Sequence, residues 1–229
     1  MIEVHSLESK KGNTDESTVL KGFVMPMPVR IAETEMPGVL LIEGRCYFDD
    51  RGFFSEAYSE GMWREAGFRE QFIQDNVSLS RRGTLRGMHY QIEPYGIGKF
   101  VRVFSGAIFD VGVDLRKGSP TFGGWIGRTL RAQDGAGLYF PSGIAHGFLA
   151  LEDNSIVYYK CTQMHVPDAE RALHYRDPRV GIAWPMAPTV VSEKDAAAPV
   201  LDQAEHNFVF QPQRGGSVLR VSVPGNGDT

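Results

Sequence analysis

Thr84-Leu85-Arg86-Gly87-Met88-His89-Tyr90-Gln91, answered further along by Pro141-Ser142-Gly143-Ile144-Ala145-His146-Gly147-Phe148, is the pattern from which the fold is read. In a regular strand successive side chains point to opposite faces. That sets His89 with Gly87 and Gln91, and Arg86 with Met88 and Tyr90. Arg86 and His89 share a pocket only if Gly87 permits a bulge or twist. A histidine with arginine and tyrosine neighbours on one strand, matched by a Pro-x-Gly-x-x-His turn, points to a β-barrel pocket that handles protons and anions.

Outward from these stretches, apolar or alternating runs recur at residues 39–43, 53–58, 72–80, 99–104, 107–115, 124–130, 137–140, 145–151 and 156–162. Gly, Pro, Asp and Asn punctuate them, as in Asp49-Asp50-Arg51-Gly52 and Gly118-Ser119-Pro120. This short, regular spacing favours an all-β barrel or sandwich over βαβ units. A helix is expected over residues 59–66, ended by Gly67, and a short one after Ser192 as cap. Gln74, Asn76, Ser78 and Ser80 form a polar stripe facing water or a wet cavity, and Lys99 shares a face with Val101 and Val103, at a rim or aimed inward. The expected division is an arm and first extended segment at 1–37, a body at 38–201 and a tail at 202–229, in which 217–223 could add an edge strand.

The chain has 229 residues, 42% hydrophobic and 23% charged, enough for a packed core. A net charge of −4 argues against non-specific nucleic-acid binding, so an anionic ligand must be met by local Arg and Lys. No apolar run reaches membrane-spanning length and the polar first residues contain no secretory apolar region, so neither membrane nor export is expected. Cys46 and Cys161 fit no Cys-x-x-Cys pattern, and two free thiols in a reducing cytoplasm are expected.

Bland readings compete at each position. A lone strand histidine is more often structural than a base, Tyr159 suits a core aromatic, and Asp195 suits the third position of a capping box after Ser192. Their joint occurrence with Arg51, Arg86 and Lys99 shifts the balance toward a site. Pro141-x-Gly-x-x-His146 resembles the second half of the cupin signature, but the His-x-His of metal cupins is here His89-Tyr90-Gln91. Two histidines without a third ligand make a poor metal site, so no metal is expected.

Asp50-Arg51-Gly52-Phe53-Phe54, Gln74-Asp75-Asn76-Val77-Ser78, Leu85 to Gln91, Phe109-Asp110-Val111-Gly112-Val113-Asp114-Leu115-Arg116, Ser119-Pro120-Thr121-Phe122-Gly123, Ala145-His146-Gly147-Phe148, Asp177-Pro178 with Trp184-Pro185, and Ser192-Glu193-Lys194-Asp195 together resemble the dTDP-4-dehydrorhamnose 3,5-epimerase family, over roughly residues 38–201. The resemblance implies a cupin-like jelly-roll with a few short helices, a homodimer, no cofactor, and a dTDP-4-keto-6-deoxyhexose or similar nucleotide sugar as substrate. It also implies roles: His89 as base, Asp195 as its carboxylate partner, Tyr159 (or, one residue earlier, Tyr158) as the opposite acid, and Lys99 beside the substrate carbonyl. Arg51, Glu56, Gln74, Asn76, Arg86 and His146 match substrate-binding positions. His165 stands where the family often has an aromatic, which leaves open inversion at C3 and C5 or at one centre only. The rivals are a non-catalytic cupin that binds sugar nucleotides and a metal cupin.

Overall fold

A computed structural model describes residues 29–212. The polar arm, the break at Met25-Pro26-Met27-Pro28 and the edge strand expected at 217–223 lie outside the described residues. The first strands are β1 (Val29–Glu33), β2 (Leu40–Gly44), β3 (Cys46–Asp49) and β4 (Gly52–Ser55), followed by helix α1 (Glu60–Glu65). Then come β5 (Gln74–Ser80), β6 (Leu85–Gln91), β7 (Lys99–Ser105), β8 (Ala107–Asp114) and β9 (Trp125–Arg131). β10 (Ala136–Phe140), β11 (Ile144–Ala150), β12 (Ser155–Cys161), β13 (Glu170–Ala172) and helix α2 (Glu193–Ala196) complete the order.

The strands form a six-stranded sheet, β1-β2-β10-β7-β12-β5, and a five-stranded sheet, β13-β6-β11-β8-β9, with the β3–β4 hairpin apart. Every pairing between these strands is antiparallel, and most neighbours are distant in sequence. This is the expected all-β jelly-roll. The core between the sheets draws Val101, Val103, Leu138, Phe140 and Val157 from one and Ile108, Ile126 and Phe148 from the other.

Each sheet is also covered on part of its outer side. Trp63 of α1 packs edge-on against Phe100 (ring centroids 4.7 Å apart), within a cluster that includes Phe68 and Tyr139. Leu173, Val180, Leu201 and Phe208 cover Met88, Tyr90, Val111 and Val113 of the five-stranded sheet. Burial on both faces explains why all seven residues of β11 are buried and its sequence does not alternate.

Two boundaries differ from the sequence expectation. β1 pairs along its whole length with β2, so the sheet begins at Val29 and not near residue 38. Val29 and Ile31, on either side of exposed Arg30, are buried in the cluster around Trp63, a strand pattern hidden by the adjacent prolines. Beyond residue 201, Phe208 is buried and Val209 bridges Lys117. The short strands β3 and β13 were also not anticipated, each having too few residues for periodicity to register.

Candidate active site

Gly87 decides the geometry of β6. Its φ is +131°, and a Cβ there would sit 2.5 Å from Gly147 Cα, so only glycine fits this close approach. Opposite it, His146 pairs with His89 and Phe148 with Arg86, a slip of register by one residue. This irregularity breaks strict alternation, and Arg86 and His89 line the same cavity, of about 460 Å³. Met88 and Tyr90 remain on the other side, packed beneath the C-terminal segment.

The partner of His89 comes from far down the chain. The main chain at Thr189 and Val190 docks against Gly83 and Leu85, with Leu85 N–H donating to Val190 O at 2.9 Å. This brings the start of α2 over β6. Ser192 Oγ accepts the Asp195 N–H at 3.1 Å, so Ser192 caps the helix as expected. The Asp195 carboxylate then turns to the sheet. Oδ1 lies 2.7 Å from His89 Nε2, and Oδ2 accepts the Gly87 N–H at 3.2 Å. The Asp195 backbone thus serves the helix cap while its carboxylate meets the imidazole. Burial works against this carboxylate's charge, but the hydrogen bonds from His89, Gly87 and Ser192 hold its pKa below the ordinary value.

Lys99, at the start of β7, faces inward and donates to the His89 carbonyl oxygen at 3.3 Å. Burial pushes its pKa down. Tyr159 of β12 lines the cavity, and burial pushes its phenol pKa up. Tyr158, the alternative, turns to the opposite face. There it stacks on Phe104 at 4.7 Å and donates to Asp75 Oδ2 at 3.0 Å. His146 reaches the cavity with its Nε2 2.7 Å from Asp110 Oδ1. Burial disfavours charge on both members of this pair, pushing His146 down and Asp110 up.

A second cavity, of about 330 Å³, shares His89, Lys99 and Tyr159 with the first, so these three side chains form the waist of one cleft. Gln74 and Asn76 line its far side, joined by a 3.1 Å hydrogen bond, and Asn76 Nδ2 donates to Cys161 Sγ at 3.5 Å. The polar stripe of β5 thus faces a cavity, and its alternate residues Val77 and Leu79 are the exposed ones. Arg86 is held at the other end by Ser80 Oγ (3.1 Å) and Leu79 O.

Arg51 and Glu56 are not brought to this cleft within the chain. Arg51 sits at the tip of the β3–β4 hairpin, 90% exposed and, among the described residues, paired with Asp49 alone. Glu56 lines a separate cavity beside Tyr47, Phe54 and Arg102. Asp110, behind His146, and Glu170 and Lys194, on the cleft lining, are not among the site residues expected from the sequence. Asp110 was signalled by a lone carboxylate in the run Phe109-Asp110-Val111. Glu170 and Lys194 meet at 2.5 Å across the cleft mouth and carried no signal, because their pairing joins β13 to α2. Among the described residues no group of three or more His, Cys, Asp or Glu is arranged to hold a metal.

The model of the dTDP-4-dehydrorhamnose 3,5-epimerase family matches residues 33–203. The dTDP-4-dehydrorhamnose 3,5-epimerase of Methanothermobacter thermautotrophicus is 45% identical over 72% of this chain and 91% of its own length. The dTDP-6-deoxy-D-glucose-3,5-epimerase of Legionella pneumophila, solved in complex with dTDP-4-keto-L-rhamnose, superposes with a TM-score of 0.72 at 42% identity, covering 76% of this chain and 94% of its own. A 3'-monoepimerase from Streptomyces bikiniensis, in complex with dTDP-quinovose, gives 0.70 at 35% identity over 75% and 87%. Family motifs, jelly-roll and similarity along nearly the whole of these relatives agree, and the chain belongs to the dTDP-4-dehydrorhamnose 3,5-epimerase family.

Proposed function

We propose that this protein epimerises a dTDP-4-keto-6-deoxyhexose at C3 and C5, as in rhamnose supply. The observation that carries the reading is the His89–Asp195 pair at 2.7 Å in a cleft whose waist also holds Tyr159 and Lys99. A C–H bond beside a ketone is acidic because its loss gives an enolate. His89 takes that proton, while Asp195 holds the ring and stabilises its cationic form. Lys99 stabilises the enolate oxygen, a contribution of about 3–4 kcal/mol for one well-placed donor. Tyr159 returns a proton to the opposite face and inverts the centre. Arg86 offers a planar fork for the pyrophosphate, and Gln74, Asn76 and His146 contact the sugar. No cofactor enters this chemistry.

The active unit is a homodimer. Phe48 and Phe54 on the hairpin are 65% and 71% exposed, which a second copy would cover. Pairing would also give Arg51 and Glu56 a cleft to serve, namely that of the other copy. The setting is cytoplasmic, a reading supported by the free thiols of Cys46 and Cys161, and neither nucleic acid nor membrane is a partner. Inversion at one centre only is the second reading, favoured by His165 at the cleft wall. The test is NMR of dTDP-4-keto-6-deoxyglucose in deuterated solvent. Deuterium is expected at both C3 and C5, and at neither with His89→Ala. Near-normal uptake in that variant removes the base assignment, and uptake at one position selects the second reading.

A further inference from the structure

The second cavity of the cleft has an outer wall made by His165 and Glu170. The His165 backbone N–H donates to Gln74 Oε1 at 3.1 Å, which fixes the chain at this point. Its imidazole Nε2 lies 3.6 Å from Glu170 Oε2, and its side chain is 52% exposed. The ring therefore borders both the cavity that holds Tyr159 and the solvent.

Two-faced proton transfer leaves a residue of work after each inversion. His89 ends as imidazolium and Tyr159 as phenolate. One proton must leave the first and one must reach the second before the next centre can react. Tyr159 is half-buried in the cleft wall, and burial raises its pKa, which favours return of the proton to its phenolate. We propose that His165 is the relay that re-protonates Tyr159 from solvent between inversions, an inference that rests on the epimerase reading above. In the step, an N–H bond of the His165 imidazolium breaks and the Tyr159 O–H bond forms. Neutral His165 then regains a proton from an acid in solution, and His89 releases one to water, so the count balances. Imidazole is suited to this because it gains and loses a proton at neutral pH. Glu170 faces the ring across 3.6 Å. Lys194 pairs with the same Glu170 carboxylate, and Lys99 lines the same cavity.

Steady-state epimerisation of dTDP-4-keto-6-deoxyglucose is compared in dilute buffer and with added free imidazole, at fixed pH and ionic strength. Wild type should be indifferent to imidazole. His165→Phe should complete its first inversion normally, slow by about tenfold or more in later ones, and recover as imidazole is raised. His165→Gln, which keeps polarity but carries no proton, should behave the same way. Unchanged turnover in dilute buffer, or a loss that imidazole does not restore, overturns the relay. If wild type takes up no deuterium from solvent, the epimerase reading falls and the relay with it. If wild type exchanges and neither variant depends on buffer, the relay alone falls.

Discussion

Tyr159 and Tyr158 are adjacent, and their opposite fates show how a strand divides labour. One enters the cleft and the other stacks on Phe104 outside it. Spacing along the chain leaves a slip of one residue open; the pairing of Tyr159 with Val101 and Asn76 puts Tyr159, and not Tyr158, on the cleft side of the strand. Removing the Tyr159 hydroxyl should separate the two halves of the reaction. In Tyr159→Phe, deuterium uptake at the carbon next to the ketone is expected to survive, while inversion falls by about 10²-fold or more. Equal losses in the two, measured by NMR on one sample, would deny Tyr159 the role of acid. His89 and Asp195 are a different case. Each had a bland reading, and 106 residues separate them. Their hydrogen bond is a product of docking and has no local sequence signal.

Among the elements, the loops after β8 are held by a buried carboxylate. Asp114 accepts from Arg116 Nε at 2.9 Å and Nη2 at 2.7 Å, and from the hydroxyls of Ser119 and Thr121. The family motifs around Asp114, Arg116 and Ser119 thus have a structural cause. Burial would raise the Asp114 pKa, but these donors more than reverse it and hold it below the ordinary 3.8. A folded-state pKa lower than the unfolded one adds stability that is fully present above the unfolded value and is lost as pH falls through the folded one. Asp114→Ala should therefore cost about 3–5 kcal/mol near neutral pH by leaving Arg116 unpaired. The deficit in Tm relative to wild type should shrink below pH 3.8. A deficit unchanged down to pH 2 would show that the charge is not its source. The two helices were readable because each carries its own punctuation: Gly67 after α1, Ser192 before α2. β13 was not, since three residues acquire strand geometry only by pairing with β6.

Across the molecule, the outward apolar groups are concentrated on the hairpin and on the free face of the six-stranded sheet, where Val77, Leu79 and Phe104 are exposed. Phe48→Asp combined with Phe54→Asp should convert a dimer into a monomer in sedimentation velocity and reduce epimerisation with it. A wild-type chain that sediments at a single chain mass would remove the homodimer and leave Arg51 and Glu56 without a site. Most strands, the turns and the caps are legible in the residues because alternation, glycine and proline act over a few positions. The motifs in their order were enough to indicate the family. Tertiary structure alone decided which groups share the cleft. A bulge at Gly87 turned Arg86 toward His89, the 189–190 segment carried Asp195 over the sheet, and Glu170 met Lys194 at the mouth. Those contacts depend on docking between distant segments, whose register is set by packing and hydrogen bonding across the whole barrel and by no local pattern.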